Sequence, residues 1–160
     1  MVRFTSGPVI NNYARIMLGD RTYAFNTLDA DDGWCMVGRF RISHTTNIRA
    51  DMFVTDALVN RIHIVADDLL GANWFLRTDN NSGLDNNVDS GVPTDTDWHV
   101  HRLEVTSGRA EHWMDGERIN VTTVKIPTVV ETGNVRCLSN AAASRYLDLD
   151  HWVVEPRNLL

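Results

Sequence analysis

Lysine is nearly absent from this 160-residue chain; Lys125 is the only one. The net charge is −6 at neutral pH. Binding a nucleic-acid backbone needs clustered lysine and arginine, so this balance argues against a nucleic-acid partner. No apolar run approaches the roughly 20 residues of a helical membrane span, which argues against membrane insertion. The opening stretch MVRFTSGPVINNYARIML lacks the continuous apolar core of a signal peptide. Cysteine is limited to Cys35 and Cys137, far apart in the chain. Without an export signal they read as two buried thiols rather than a disulfide. There is no Cys-x-x-Cys and no Cys–His spacing of a zinc site. A phosphate loop, a nucleophile elbow and a dinucleotide fingerprint are absent too.

No long segment carries the 3.6-residue period of an amphipathic helix. Short alternating or apolar runs are instead broken by Gly, Asn and Asp, the pattern of an all-β chain. Strands are expected at Arg21–Asn26, Gly33–Ser43, Asp51–Ala57, Asn60–Ala66, Asn73–Thr78, His99–Thr106, Arg109–Met114, Glu117–Val121, Asn134–Leu138 and Tyr146–Val154. About ten strands suit a two-sheet antiparallel jelly-roll sandwich. The acidic, amide-rich segment Asp79–Asp97 reads as a loop. The length fits a single domain over residues 1–160, with 1–20 as an extended N-terminal arm. Within it Ser6–Leu18 is poorly patterned for a core and reads as an inter-subunit arm or an irregular first strand.

The stretch DWHVHRLEVTSGRAEHWMDGERI, Asp97–Ile119, concentrates residues of catalytic type. Ser107-Gly108 and Asp115-Gly116 are two-residue hairpin turns, and turns set register. Thr106 then pairs with Arg109, Leu103 with His112, Arg102 with Trp113, Trp113 with Arg118 and His112 with Ile119. Alternation sends His99, His101, Leu103, Val105, Ala110, His112, Met114, Ile119 and Val121 to the core face. Trp98, Val100, Arg102, Glu104, Glu111, Trp113 and Arg118 take the other face. There Arg102 and Arg118 are expected to flank Trp113 as a cation–π sandwich and a ligand platform for sugars. His99, His101 and His112 share a face, so they are weighed as a three-histidine zinc site. Core histidines bonded to backbone are the favoured reading.

Trp98, His99, Arg102, Leu103, Glu104 and Val105, followed by Trp113, Met114, Asp115 and Gly116, carry a resemblance. The passage resembles one in concanavalin A-like β-sandwiches, which include laminin-G-like lectin modules and laminarinase-type glycoside hydrolases. Asp31–Ser43 (DDGWCMVGRFRIS) is similar to an early inner strand of that fold, and Arg145–Pro156 (RYLDLDHWVVEP) to its closing strand. The resemblance implies a jelly roll whose hosts include lectins, hydrolases, lyases and structural modules.

Retaining hydrolysis needs two carboxylates roughly 5 Å apart. The Glu-x-Asp-x-Glu pattern of the hydrolases is missing, and Asp148 and Asp150 are the nearest imitation, on one face with Tyr146 and Trp152. Related sandwiches often hold a structural calcium, and the oxygen-rich loop here offers Asp79, Asp85 and Asp89 as ligands, though without a fixed ligand spacing and in residue types that also simply form turns. No other cofactor is expected. A chain opening at Met1 without an export signal is expected to be a non-catalytic structural or adhesion module. The favoured setting is a phage virion surface, as a capsid decoration or fibre that forms homo-oligomers, contacts neighbouring subunits and binds glycan. It would be made in the cytoplasm and end on the virion or an extracellular surface. The alternatives are a glycan-degrading hydrolase or lyase of the same fold, and the three-histidine zinc enzyme.

Overall fold

The two turns of the central meander form as their residues dictate. Asp115 and Gly116 both take positive φ (52° and 87°), the geometry of a type I′ hairpin turn, and Gly108 takes a φ of 67°. The computed structural model describes residues 1–18, 28–29, 33–56, 60–81, 85–130 and 132–156. The strand expected at Arg21–Asn26 lies outside the described residues.

Among the described residues there is no helix, and the strands run in chain order. They are β1 (Val2–Thr5), β2 (Tyr13–Leu18), β3 (Leu28–Asp29), β4 (Trp34–Ile42), β5 (Ile48–Asp56), β6 (Asn60–Asp67) and β7 (Asn73–Asn80). They continue as β8 (Asn86–Pro93), β9 (His99–Thr106), β10 (Arg109–Met114), β11 (Glu117–Thr122), β12 (Val129–Val130), β13 (Thr132–Ser139) and β14 (Tyr146–Pro156). Sheet I has the order β1-β14-β4-β9-β10-β11, and sheet II the order β2-β13-β5-β6-β7-β8. Both are antiparallel, and β3 pairs β12 as a separate short ribbon. This is the two-sheet jelly roll that the strand pattern implied.

The register of β9 against β10 is the one the Ser107-Gly108 turn sets, with Leu103 opposite His112 and Arg102 opposite Trp113. Across the second turn the register holds at Trp113–Arg118 and then shifts, so that His112 faces Asn120 instead of Ile119. This β-bulge reverses the alternation of β11 beyond Ile119. Asn120 and Thr122 become buried and Val121 is left exposed, opposite to the expectation for Val121.

A second bulge falls in β14 between Leu149 and His151. Asp148 stays on the outer face, while Trp152 turns inward and packs against the core. Asp148 and Trp152 therefore do not share a face.

Five described strands, β1, β2, β3, β8 and β12, fall outside the ten expected ranges, with β2 in the segment read as an arm or an irregular first strand. β8 runs through the Asp79–Asp97 segment as the edge of sheet II. Its burial alternates between half-buried and exposed, and Gly91 and Pro93 suit an edge, where one side needs no ladder partner. β1 and β2 close the edges of sheets I and II, so the N-terminal segment runs along both sheets.

The core lies between the sheets. Met36, Phe40, Leu103, Val105 and Leu147 come from sheet I; Met52, Val54, Ile62, Ile64 and Leu76 come from sheet II. A fully buried side chain of this size stabilises by roughly 1.5–3 kcal/mol relative to exposure. Cys35 and Cys137 are both buried and are not joined in a disulfide.

His101 and His112 are fully buried in this layer. The His101 ring stacks on Phe40 at 4.4 Å and lies 4.4 Å from Trp74. Its Nδ1 meets His112 Nε2 at 3.0 Å, so one ring donates to the other. Burial lowers His101 well below its ordinary pKa and His112 to about 3.

Gly133 is a close-approach point of the sheets. A Cβ there would stand 2.9 Å from Trp152 Cζ2 and 3.2 Å from Val154 Cγ2. Gly133→Ala is expected to cost about 1–3 kcal/mol by overpacking, read as a lower urea midpoint with an unchanged slope.

The buried histidines set a pH dependence. Below the ordinary histidine value of 6.5 the unfolded chain takes up protons that the folded chain refuses. Stability is therefore expected to fall as pH drops through that value, by up to about 1.4 kcal/mol per pH unit for each such histidine. Urea unfolding of the wild type and of His112→Gln between neutral and mildly acid pH checks this; the variant should show the shallower slope.

Candidate site on the outer face of sheet II

Along β6 the residues Ile62, Ile64 and Ala66 enter the core. Strand alternation then obliges Arg61, His63, Val65 and Asp67 to face outward. The same parity on neighbouring strands puts Arg49, Asp51 and Phe53 of β5, Phe75, Arg77 and Asp79 of β7, and Asn134 and Arg136 of β13 on that face. Cross-strand register sets their neighbours. Arg136 lies opposite Asp51, Phe53 opposite His63, His63 opposite Arg77, and Arg61 opposite Asp79.

Asp51 is the ionic centre of the face. Its side chain is fully buried although it leaves the outer side of a sheet. Arg49 Nε donates to it at 2.9 Å, and Arg136 donates through both Nε, at 2.9 Å, and Nη2. The aliphatic stems of arginines lie along the surface and cover what is beneath. Burial opposes the charge on Asp51, but the Arg136 guanidinium, which donates to both carboxylate oxygens, outweighs it and holds the carboxyl well below its ordinary range. A buried carboxylate stripped of such partners is typically destabilising by about 3–5 kcal/mol.

His63 is buried beside it. Its Nδ1 stands 3.8 Å from Asp51 Oδ2, beyond hydrogen-bond reach, and neither ring nitrogen has a hydrogen-bond partner. Leaving such a group unpaired costs about 1–3 kcal/mol, so it calls for an explanation. Phe53 stacks on the imidazole at 4.7 Å, and the Arg136 guanidinium lies 5.1 Å from the Phe53 ring. Burial pushes His63 down to about 4, with Asp51 acting in the opposite direction. The ring is neutral at pH 7.

The remaining arginines crowd the same face. Arg61 donates to Asp79 at 3.1 Å and to Asp85 at 3.2 Å, and Arg77 pairs with Asp85. Burial and the neighbouring charges of Arg49 and Arg61 lower Arg77 to about 10. The face thus combines guanidinium groups, which receive anions, with a neutral imidazole, which can accept a proton.

The residues singled out from sequence are dispersed. Asp148 and Asp150 lie on the outer face of sheet I. Arg3 and Arg41 hold Asp148 at 2.6 Å and 3.1 Å, and Arg39 holds Asp150 at 3.0 Å. These arginines lower both carboxyls, whereas a general acid needs a raised one. Trp113 lies on that face too. Arg118 stands 5.9 Å from its ring, but Arg102 turns to Glu104, so the sandwich is one-sided.

His99, His101 and His112 form a chain rather than a ligand set. His99 spends Nδ1 on Asp115 at 2.6 Å and Nε2 on Asp95 at 2.9 Å, and His101 and His112 bond each other. Burial opposes the charge on His99, yet the bonds to Asp115 and Asp95 raise its pKa. Its contribution to stability is complete below pH 6.5 and is lost as pH rises through the raised value. Asp79, Asp85 and Asp89 meet Arg61, Arg77 and the Asn73 amide, a surrounding of donors that does not fit a calcium ion.

Asp51, His63 and Arg136 were not singled out from the sequence. The available signal was the run Arg61-Ile-His-Ile-Val-Ala-Asp67, in which polar residues fall on the face opposite an apolar one. Its partners come from strands distant in sequence, so a single strand does not reveal the cluster.

No family model and no curated protein matches the chain. Solved structures do. The chain is similar to a prokaryotic β-1,3-1,4-glucanase (lichenase) from a mouse hindgut metagenome, at 14% identity and a TM-score of 0.71, over 96% of this chain and 78% of that one. It is similar to the family 7 alginate lyase A1-II′ at 13% identity and a TM-score of 0.63, over 91% and 71% of the two chains. The Crh5 transglycosylase matches at 10% identity and a TM-score of 0.67, over 96% and 71%. These neighbours are glycan-acting enzymes, and they overturn the expectation of a non-catalytic structural or virion module. At such low identity the likeness carries the fold alone: the chain is a concanavalin A-like jelly-roll sandwich.

Proposed function

We propose that the protein degrades a glycan at the outer face of sheet II, and that it does so by β-elimination at a uronate. The observation that carries this reading is His63: a neutral, buried imidazole with both nitrogens unpartnered, in the middle of an arginine cluster. Elimination needs a cation to neutralise the sugar carboxylate and a base to take the acidified proton next to it. Arg136 and Arg77 supply the first, and His63 the second. The electron pair left by the proton forms a carbon–carbon double bond as the glycosidic C–O bond breaks; the leaving oxygen takes up a proton from solvent water, and the His63 imidazolium returns its own proton to solvent.

Arg136 stacks over Phe53, and Phe53 over His63. A substrate carboxylate that draws Arg136 outward would free Phe53 to move and uncover the base. Hydrolysis by paired carboxylates is supported less well. Asp51 is locked as an anion, and Asp79 and Asp85 are paired with arginine. Each of these carboxylates already has an arginine partner, so none is set up as the proton donor that hydrolysis requires.

Incubation with alginate and polygalacturonate is expected to produce ultraviolet absorbance from the new conjugated double bond, while neutral β-glucans are left intact. His63→Ala should lower kcat by about 10²–10⁴-fold with the fold retained by circular dichroism. Because the base must be neutral, wild-type activity should persist into acid and fall only near pH 4. New reducing ends from a neutral glucan without the absorbance would assign hydrolysis instead, and no cleavage of any of these polymers would overturn the proposal.

A further inference from the structure

The opposite face of the sandwich has a different electrostatic design. On the outside of sheet I, Arg3, Arg39, Arg41, Arg102, Arg109 and Arg118 have side chains 36–48% exposed. Their partners lie beneath them. The Asp148 side chain is 0% exposed, Glu104 9% and Glu111 16%; only Asp150 reaches the surface. Two arginines share Asp148 and two share Glu111, so among the described side chains six cations meet four anions on this face. The whole chain carries −6, so the arrangement opposes the overall charge.

The layering follows from side-chain length. Asp and Glu end close to the sheet, and the longer arginines pass over them and present guanidinium planes outward. Indoles complete the surface. Arg39 and Arg41 stand 5.0 Å and 5.1 Å from the Trp98 ring, and Arg118 stands 5.9 Å from Trp113.

We infer that the outer face of sheet I is a second binding surface, for an extended anionic polysaccharide. The guanidinium groups are spread over β1, β4, β9, β10 and β11 instead of converging on one point, which suits a polymer of regularly spaced carboxylates rather than a small anion. Guanidinium pairs with carboxylate in a two-pronged geometry, and Trp98 and Trp113 stand among these arginines as aromatic surface for sugar rings. The surface would hold a polymer that the sheet II site cuts. The inference takes only its choice of probe from the proposed function.

The test uses the His63→Ala protein, so that the probe is not degraded. Polygalacturonate in a native gel is expected to retard the protein, and its fully methyl-esterified form is not. Added salt should weaken the retardation, because the contact is ionic and exposed. Trp98 and Trp113 emission should change on binding, since Trp34 and Trp74 are buried and Trp152 packs inward against the core. Arg39→Ser combined with Arg118→Ser should weaken binding about tenfold or more. Three results would overturn the inference: no retardation, retardation unchanged in the double variant, or retardation lost in Arg136→Ser while the double variant binds normally. Cleavage is scored separately on the wild type, so a protein that binds without cutting removes the proposed function and keeps the second surface.

Discussion

The strict two-residue alternation of a strand packed on one side ties the core of this protein to its site. Ile62, Ile64 and Ala66 must enter the space between the sheets, where the apolar driving force is largest. Arg61, His63 and Asp67 are then forced outward together. A slip of one residue would bury charge and expose the core, so the packing that stabilises the fold also fixes which side chains meet on the outer face. Asp51 and Arg136 obey the same parity on β5 and β13. Their pairing across the strands makes a fully buried carboxylate tolerable outside the hydrophobic layer.

The sequence was most legible where the chain is locally self-determined. The Ser107-Gly108 and Asp115-Gly116 turns dictate the meander, and its first register follows them residue by residue. Legibility ended at irregularities with no composition of their own. The bulge near Ile119 reversed the faces of Asn120 and Val121, and the bulge at Asp150 separated Asp148 from Trp152. β8 was hidden by its Asn, Asp, Gly and Pro content, which marks a turn in isolation but is tolerated on a half-exposed edge strand. The ionic centre was hidden for a topological reason. Arg49 and Asp51, His63, Arg77 and Arg136 come from four strands, and their meeting depends on the order β13-β5-β6-β7.

The two outer faces use similar residues for different ends. On sheet II the carboxylate is enclosed and the arginines are drawn inward, which fixes charge states and leaves one imidazole unpaired. On sheet I the arginines of the ion pairs are half-exposed, and pairs open to solvent on one side add little to stability. Their value lies in the surface they present. The histidines divide in the same way: His101 and His112 serve packing, His99 ties the Asp95 segment to the Asp115 turn, and His63 remains with its proton-accepting capacity free.

The central claim is that His63 is a neutral, ligand-facing base beside Asp51. Nuclear magnetic resonance of the imidazole nitrogens tests it most directly, by titration of the free protein and then addition of a short oligouronate at neutral pH. The account predicts that the His63 signals stay those of a neutral ring until the pH approaches 4 and that the oligouronate shifts them. A His63 that is protonated at pH 7, or whose signals ignore a saturating oligouronate, would contradict it.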